Sequence, residues 1–240
     1  MLIRTLFWLS AAIVTAIAMA FVVVITVIWP DLPPISEVQD IRLKEPLRIY
    51  SIDGKLMGEF GDERRITVRI EDTPQDLINA ILAAEDDRFF SHHGVDPLGV
   101  VRALIANLKS RETRQGASTI TMQVARNYFL SREKTYTRKL KEALLAFRLE
   151  RELLKLQILE LYVNKIFLGH RSFGFQAAAA FYYNRPLDEL TLAQLAMLAG
   201  LPKAPSSINP VSNPVRAVER RNYVLRRMHG LKLIDDASFE

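Results

Sequence analysis

Residues 83–94 read AAEDDRFFSHHG, and the rest of the chain is organised around this stretch. Acids, aromatic rings and two histidines lie within these dozen residues. Upstream, Thr73 and Pro74 have the order of an N-cap residue and a first helical residue, and the acid Asp76 follows them. The sequence therefore predicts a helix that begins here and ends at about Phe90.

Glu85 lies on the apolar face of this predicted helix. The face repeats every 3.6 residues and comprises Ile78, Ile81, Leu82, Glu85 and Phe89. Burial disfavours the charged form of a carboxyl and raises its pKa toward neutrality, as a general acid or base at neutral pH requires. The other interpretation is a structural acid bonded to His92 or to a backbone amide, and this stretch alone leaves both open.

The first thirty residues differ in composition from the rest. Residues 5–30 carry no charge, and the apolar run 6–28 exceeds the roughly 20 residues that a helix needs to span a bilayer. The run continues past a sequence that resembles a signal-peptidase site, so we expect an uncleaved transmembrane helix over 6–29 after a cytoplasmic tail of 1–5. Arg4 is the only charge on the short side, which predicts that everything after the span is exported.

Cysteine usage and charge narrow the function classes. The chain has no cysteine, which excludes disulfides and metal sites built from thiolates. Its net charge is +5, yet residues 102–155 hold 13 Lys and Arg against 5 Glu. Nucleic acid is the commonest partner of such a patch, but an exported, membrane-tethered domain meets little of it. An anionic lipid head group or a phosphorylated lipid substrate fits that compartment better.

The segment after the apolar run predicts a stalk and then a small sheet. Prolines mark the stalk at 30–46, and two strands within 47–60 flank Asp53 and Gly54, which is a hairpin signal. Alternation over 65–70 could add a third strand. After residue 70 the sequence predicts helices. The helix that ends at about Phe90 is followed by one that begins after Asp96 and one from Ser118 or Thr119, and residues 136–167 form one or two more. Further helices are predicted over 174–183, over 191–199 and after Asn213.

Two acids in helical contexts, Glu85 and Glu142, stand 57 residues apart with many cationic residues between them. Carboxylates activate glycosyl centres, and clustered Lys and Arg neutralise a phosphate leaving group. The pattern indicates chemistry at a sugar beside a phosphate. For Glu142 a surface ion pair with Arg138 is the other interpretation.

Four motifs occur in order along the chain. The first has Glu85, Asp86, Phe89, His92 and Gly94; the second Gly116, Ser118, Thr119, Ile120, Thr121 and Gln123; the third Arg138, Lys139 and Glu142; the fourth Lys155, Ile158, Leu159, Tyr162 and Asn164. With their spacing they resemble the peptidoglycan glycosyltransferase family, and within it the N-terminal part of class A penicillin-binding proteins of the Gram-negative 1A type. The likeness extends from residue 1 to about 230.

The resemblance implies a mainly α, lysozyme-like glycosyltransferase head with a smaller membrane-proximal jaw and a small N-terminal β hairpin. It implies a glycosyltransferase domain over 47–230 and a linker starting at 231–240. The sequence has no K-T-G or K-S-G motif, so we expect no transpeptidase domain in this chain. The implied activity is polymerisation of lipid II into glycan strands with inversion and release of undecaprenyl diphosphate. The implied location is the bacterial inner membrane, as a single-pass protein with a periplasmic catalytic domain.

The same resemblance assigns roles to residues. Glu85 would be the base that deprotonates the acceptor sugar, and Glu142 the second functional acid. Substrate binding would fall to Arg102, Ser118, Thr119, Gln123, Arg126, Arg138, Lys139 and Lys155. Structural support would come from Asp86, Phe89, His92, Gly94, Gly116, Tyr162 and Asn164. The chain departs from the family at Met122, where a glutamine is frequent, and at Arg126, where lysine is frequent.

Partners and alternatives complete the predictions. No cofactor is required and the protein alone builds no metal site, but a divalent cation, Mg²⁺ or Mn²⁺, could bridge Glu142 and the substrate diphosphate. Expected partners are lipid II, the growing glycan strand, membrane lipid and cell-wall synthesis proteins, with no nucleic acid. The alternatives are a lysozyme-like lytic hydrolase of peptidoglycan glycan and a non-catalytic membrane scaffold.

Overall fold

The computed structural model describes residues 2–30, 32–34, 47–110, 118–130 and 136–239. It is mostly helical, as the sequence predicts. The helices are α1 (Leu2–Val23), α2 (Gln75–Glu85), α3 (Pro97–Ser110), α4 (Ile120–Phe129), α5 (Tyr136–Glu152), α6 (Lys155–Lys165), α7 (Phe175–Tyr183), α8 (Leu192–Gly200), α9 (Pro214–Gly230) and α10 (Asp236–Phe239). The strands are β1 (Leu47–Tyr50), β2 (Leu56–Phe60), β3 (Arg64–Arg65) and β4 (Ser172–Phe173).

The N-terminal segment forms α1 and a π-helical turn over Val24–Ile28. Within the described residues, no helix meets the length and hydropathy needed to cross a bilayer, so the span over 6–29 stays a prediction. After this turn Leu32 is buried in the hydrophobic core, and Arg148 of α5 donates to the carbonyl of Pro33. The end of the N-terminal segment is thereby attached to the helix that carries Glu142. The predicted stalk residues 35–46 lie outside the described part of the chain.

The predicted hairpin is confirmed. Strands β1 and β2 pair antiparallel, and Gly54 in the turn between them has a φ of +79°, which glycine adopts without strain. The predicted third strand over 65–70 is wrong, because β3 pairs in parallel with β4 and not with the hairpin. The following backbone is held by α6, where the Asn164 side-chain amide bonds both the N–H and the carbonyl of Val68.

Helix α2 begins and ends differently from the prediction. Thr73 does not cap it, because its hydroxyl donates to the carbonyl of Arg69. The helix ends at Glu85, not near Phe90, because Asp86 turns out of the helix with a φ of −158°. Its carboxylate accepts from the amide of Ile120 on α4. A separate 3-10 turn then covers Phe89–Ser91.

Helix α2 is packed into the helical core. Helix α2 packs against α8 and α9, and α4 packs against α5 and α6. The buried side chains at these contacts include Leu77, Ile81, Val124, Leu159, Leu198 and Val224. The predicted helical region 136–167 is two helices, α5 and α6. Local caps begin several helices as expected, since the side chains of Thr119, Thr191 and Asn213 accept backbone amides of α4, α8 and α9.

Candidate active site

The C-terminal end of α2 opens into a cleft of about 360 Å³ that is walled by α3, α4, α9 and the turn after α8. The Glu85 side chain lies in it with 15% of its surface exposed. One carboxylate oxygen accepts a hydrogen bond of 2.9 Å from the Gln123 side chain. The other lies 3.7 Å from a terminal nitrogen of Arg220. The predicted apolar-face acid is therefore at a cleft surface, held by a neutral donor and a nearby cation.

Burial raises the pKa of Glu85. The hydrogen bond from Gln123 and the charges of Arg220, Lys203 and Arg126 act in the opposite direction, yet the pKa remains above its usual value. This direction confirms the expectation from the apolar face. A carboxylate with a raised pKa suits proton abstraction near neutral pH better than an ordinary surface acid.

The structural role that the sequence left open for Glu85 falls to its neighbour Asp86. The two Asp86 oxygens lie 3.1 Å from Nε2 of His92, and one of them accepts from the Ile120 amide at 3.0 Å. Thr119 donates to the carbonyl of Gly94, and Gly94 has a φ of +88° with no room for a Cβ, which would lie 2.8 Å from the backbone of Ala146. These contacts tie the end of α2 to the start of α4.

The third acid in the row, Asp87, bridges two walls of the cleft. It accepts from Arg227 of α9 at 2.8 Å and from Arg102 of α3 at 3.3 Å. Burial raises the pKa of Asp87, but the hydrogen bonds and charges of these two guanidinium groups outweigh burial and lower it. The lowered pKa of Asp87 favours its charged form and the two ion pairs, whereas the pKa of Glu85, two residues before it, is raised.

The second predicted acid, Glu142, is buried, with 1% of its side chain exposed. Lys139 Nζ lies 2.8 Å from one oxygen and Arg138 Nε 3.2 Å from the other. Lys139 also donates to the Ser118 hydroxyl, and Ser118 lines the Glu85 cleft. The ion pair with Arg138 that was considered for Glu142 is present, but the carboxylate lies inside the protein and not at the surface. The Glu142 carboxylate contacts two cations, one of which donates to Ser118 of the cleft wall.

The structure brings most of the predicted binding residues together at one cleft. Its walls include Arg102, Ser118, Thr119, Gln123 and Arg126. Thr119 is buried and its hydroxyl is engaged in capping α4, so what it presents to the cleft is mainly backbone. Met122 is buried and does not line the cleft, so its departure from the family pattern lies in the protein interior.

Other predicted residues lie away from the cleft. Lys155 pairs with Glu150 at 2.7 Å and stands over the Phe89 ring, 4.3 Å from its centroid, so its placement is that of a support. Tyr162 is fully buried; burial and the Glu85 charge raise its pKa well above the usual value. Asn164 holds Val68, as described above. Gly116 lies outside the described residues.

Among the cleft residues without a predicted role are Lys203, Arg220, Tyr223 and Arg227. They come from the turn after α8 and from α9. They lie within the likeness that extends to about residue 230, and the available signal is the cluster of four arginines in residues 220–228, RRNYVLRRM. Which of these residues turn toward Glu85 depends on contacts more than 100 residues apart in sequence.

The geometry of the described residues gives little support for a metal site. Among the described residues no three His, Asp or Glu side chains group as a metal site. Each Glu142 oxygen already faces a cationic side chain, an arrangement that fits a divalent cation poorly. We therefore derive no chemical step through a metal ion.

With this geometry established, comparison with known proteins identifies the family. A family model described as a transglycosylase matches residues 53–229, which is more than half of the chain. The chain belongs to the transglycosylase family. The peptidoglycan glycosyltransferase resemblance of the four motifs is thereby confirmed, and the matched range of this transglycosylase contains Glu85, Glu142 and the whole cleft.

The relatives of this transglycosylase are much longer proteins. Penicillin-binding protein 1A of Pseudomonas aeruginosa is 48% identical over 239 residues, covering 100% of this chain and 29% of that protein. Penicillin-binding protein 1A of Escherichia coli is 52% identical over 201 residues, covering 84% of this chain and 24% of that protein. A crystal structure of penicillin-binding protein 1A from Haemophilus influenzae is 35% identical, with a TM-score of 0.47, and covers 83% of this chain and 20% of that chain. The chain thus spans less than a third of the length of these relatives.

Proposed function

We propose that this chain polymerises lipid II into β-1,4 glycan strands, with inversion at the donor sugar and release of undecaprenyl diphosphate. The observation that carries the proposal is the Glu85 carboxylate, with its raised pKa, in a cleft lined by five Lys and Arg side chains within the transglycosylase match. A base and an anion-binding wall are the two elements that transfer of a sugar from a diphosphate requires.

Glu85 acts in this proposal as general base. Its ionised carboxylate takes the proton from the 4-hydroxyl of the acceptor sugar, and the freed oxygen attacks the anomeric carbon of the donor from the face opposite its diphosphate. The Gln123 hydrogen bond supports this role, because it fixes one carboxylate oxygen and leaves the other directed toward the cleft. A fixed base contributes by orientation as well as by proton affinity.

Lys139 and Arg138 receive the departing diphosphate. As the bond between the anomeric carbon and the diphosphate oxygen breaks, negative charge accumulates on the leaving group, and nearby cations stabilise it. The contacts of Glu142 with both side chains support this role, as does the contact of Lys139 with Ser118, a residue of the cleft wall. Glu142 is then a positioning acid and not a proton donor. A role for Mg²⁺ or Mn²⁺ stays a prediction, to be tested by chelation.

A location at the periplasmic face of the inner membrane fits the substrate. The uncharged segment 5–30 supports an N-terminal anchor, and its side chains Phe7, Trp8 and Val14 are exposed. On α3, next to the cleft, Leu98 and Val101 are also exposed, which supports contact with acyl chains or a polyprenyl tail. Cell-wall synthesis proteins stay expected partners.

The deciding experiment incubates the full chain with purified lipid II in detergent and separates glycan polymer from released undecaprenyl diphosphate. We expect both products from the wild type and neither from Glu85→Gln, which keeps the shape of the side chain but cannot take the proton. Glu189→Gln, in an exposed turn, serves as the matched control. Polymer formation by Glu85→Gln would overturn the proposal. Clearing of purified sacculi in place of polymer formation would favour the hydrolase alternative.

A further inference from the structure

The Arg220 side chain is held in place by Gly200 and Tyr223, and it faces the acid Glu85. Its Nε donates to the carbonyl of Gly200 at 3.3 Å, and its guanidinium lies over the Tyr223 ring, 4.5 Å from the centroid. Its distance to the Glu85 carboxylate is 3.7 Å, beyond the roughly 2.7–2.9 Å of a charge-assisted hydrogen bond. The side chain is therefore held beside Glu85 at ion-pair distance, without a short charge-assisted hydrogen bond to the carboxylate.

Gly200 contributes the room for this clamp. A Cβ built on Gly200 would lie 2.9 Å from Cγ of Arg220, which is closer than such atoms approach in proteins. The Gly200 backbone has a φ of −78°, so its conformation alone does not demand glycine. The aliphatic part of the Arg220 side chain, which crosses the end of α8, leaves no room for a Cβ at this position.

We infer that Arg220 is a positioning residue of this site: clamped by Gly200 and Tyr223, it keeps a positive charge beside Glu85 while leaving the carboxylate oxygen free to take a proton. This inference rests on the proposed function, because it assigns a role relative to the base of that reaction. A closer pair would occupy the oxygen that must accept the proton, and a more distant cation would allow burial to protonate the base.

The other groups around Glu85 do not supply the same effect. Gln123 on α4 is neutral, Tyr162 on α6 carries no charge at neutral pH, and Asp86 is turned toward His92 and α4. Lys203 and Arg126 also oppose the rise in the pKa of Glu85, but Arg220 precedes both in the size of its charge effect. Of the cleft cations, Arg220 is the one placed within 4 Å of the carboxylate.

The test measures kcat/KM for lipid II polymerisation from about pH 5 to about pH 9, where the acid limb reports ionisation of the base in the free enzyme. The variants are Arg220→Gln, Arg220→Lys and Gly200→Ala. Arg221→Gln is the matched control, because Arg221 is the next cation on α9, bonds to Asn222 and does not line the cleft.

For Arg220→Gln we expect the acid limb of the profile to move up by about one pH unit. This shift lowers kcat/KM about tenfold well below the limb and leaves kcat/KM unchanged well above it. Arg220→Lys should shift the limb less, because it keeps a charge. Gly200→Ala should shift it in the same direction although every charge is retained. Arg221→Gln should leave the profile in place.

An unchanged acid limb in Arg220→Gln, with activity reduced equally at every pH or with a rise in KM alone, would overturn the inference and make Arg220 a substrate ligand. The proposed function would survive that result as long as Glu85→Gln is inactive. If Glu85→Gln polymerises lipid II, the proposed function itself fails. Gly200→Ala keeps the inference testable should Arg220→Gln fold poorly.

Discussion

Removal of the Asp86 carboxylate should destabilise the fold through two lost hydrogen bonds. The side chain is 4% exposed and accepts from the Ile120 amide and from His92. A buried polar group left without a partner costs about 1–3 kcal/mol, and a hydrogen bond to a charged group contributes about 1.5–3 kcal/mol. Asp86→Ala strands both donors, so we expect the free energy of unfolding to fall by about 3–4 kcal/mol. Asp86→Asn keeps one acceptor oxygen and should lose about half as much.

Urea unfolding of the full chain in detergent, followed by far-UV circular dichroism, measures this loss. A loss of about 3 kcal/mol corresponds to a fall in Tm of about 6–12 °C for a domain of this size. Asp76→Asn is the control, because Asp76 is an exposed acid in the first turn of the same helix and should change stability by less than about 1 kcal/mol. If Asp86→Ala retained wild-type stability but lost all activity, Asp86 would belong to the chemistry and our assignment of it as support would be refuted.

Three further variants test other parts of the site. Burial raises the pKa of Glu85, so its ionised form is disfavoured in the folded protein. Glu85→Gln should therefore raise the free energy of unfolding at pH 7, and this gain should disappear as the pH falls below the usual carboxyl pKa. Urea titrations at several pH values would check this. Gly94→Ala should lower stability by about 2 kcal/mol or more, because the backbone has a positive φ and the new methyl group would meet Ala146; thermal unfolding measures it, and a neutral result would contradict the packing at this turn. Lys155→Met should reduce stability by about 1–3 kcal/mol, because the buried Glu150 carboxylate loses its cation and keeps the hydrogen bond from Thr121, while KM for lipid II stays unchanged. A raised KM at wild-type stability would instead restore the predicted role in substrate binding.

Features that depend on neighbours in the sequence were predictable. The caps at Thr119, Thr191 and Asn213, the hairpin turn at Gly54 and the apolar face beneath Glu85 follow from local spacing. Glu85 could be singled out for the same reason, since a carboxylate at a 3.6-residue apolar period is visible without coordinates.

Features that depend on distant partners were not predictable in this way. The end of α2 is set by a bond between Asp86 and Ile120, 34 residues later, and the segment after β3 is held by Asn164, 96 residues after Val68. Likewise the sequence displays the arginines of α9, but only the packing of α9 on α2 and α8 turns Arg220 and Arg227 into the cleft. The prediction of a third strand over 65–70 was wrong for the same reason, because the backbone of Val68 and Ile70 bonds to side chains of α6 and not to a neighbouring strand.

The three consecutive acids explain why α2 must end where it does. Successive residues of an α-helix point about 100° apart, so a helix continued to Phe90 would turn Asp86 and Asp87 away from the partners they have. Ending the helix at Glu85 lets Asp86 reach the Ile120 amide and His92, and lets Asp87 reach Arg102 and Arg227. Glu85 then remains the acid of the three whose oxygen faces the cleft beside Arg220, at 3.7 Å, without a short hydrogen bond to a cation. In the proposed reaction, the residue that serves as base is therefore determined by the contacts of Asp86 and Asp87 as well as by the burial of Glu85.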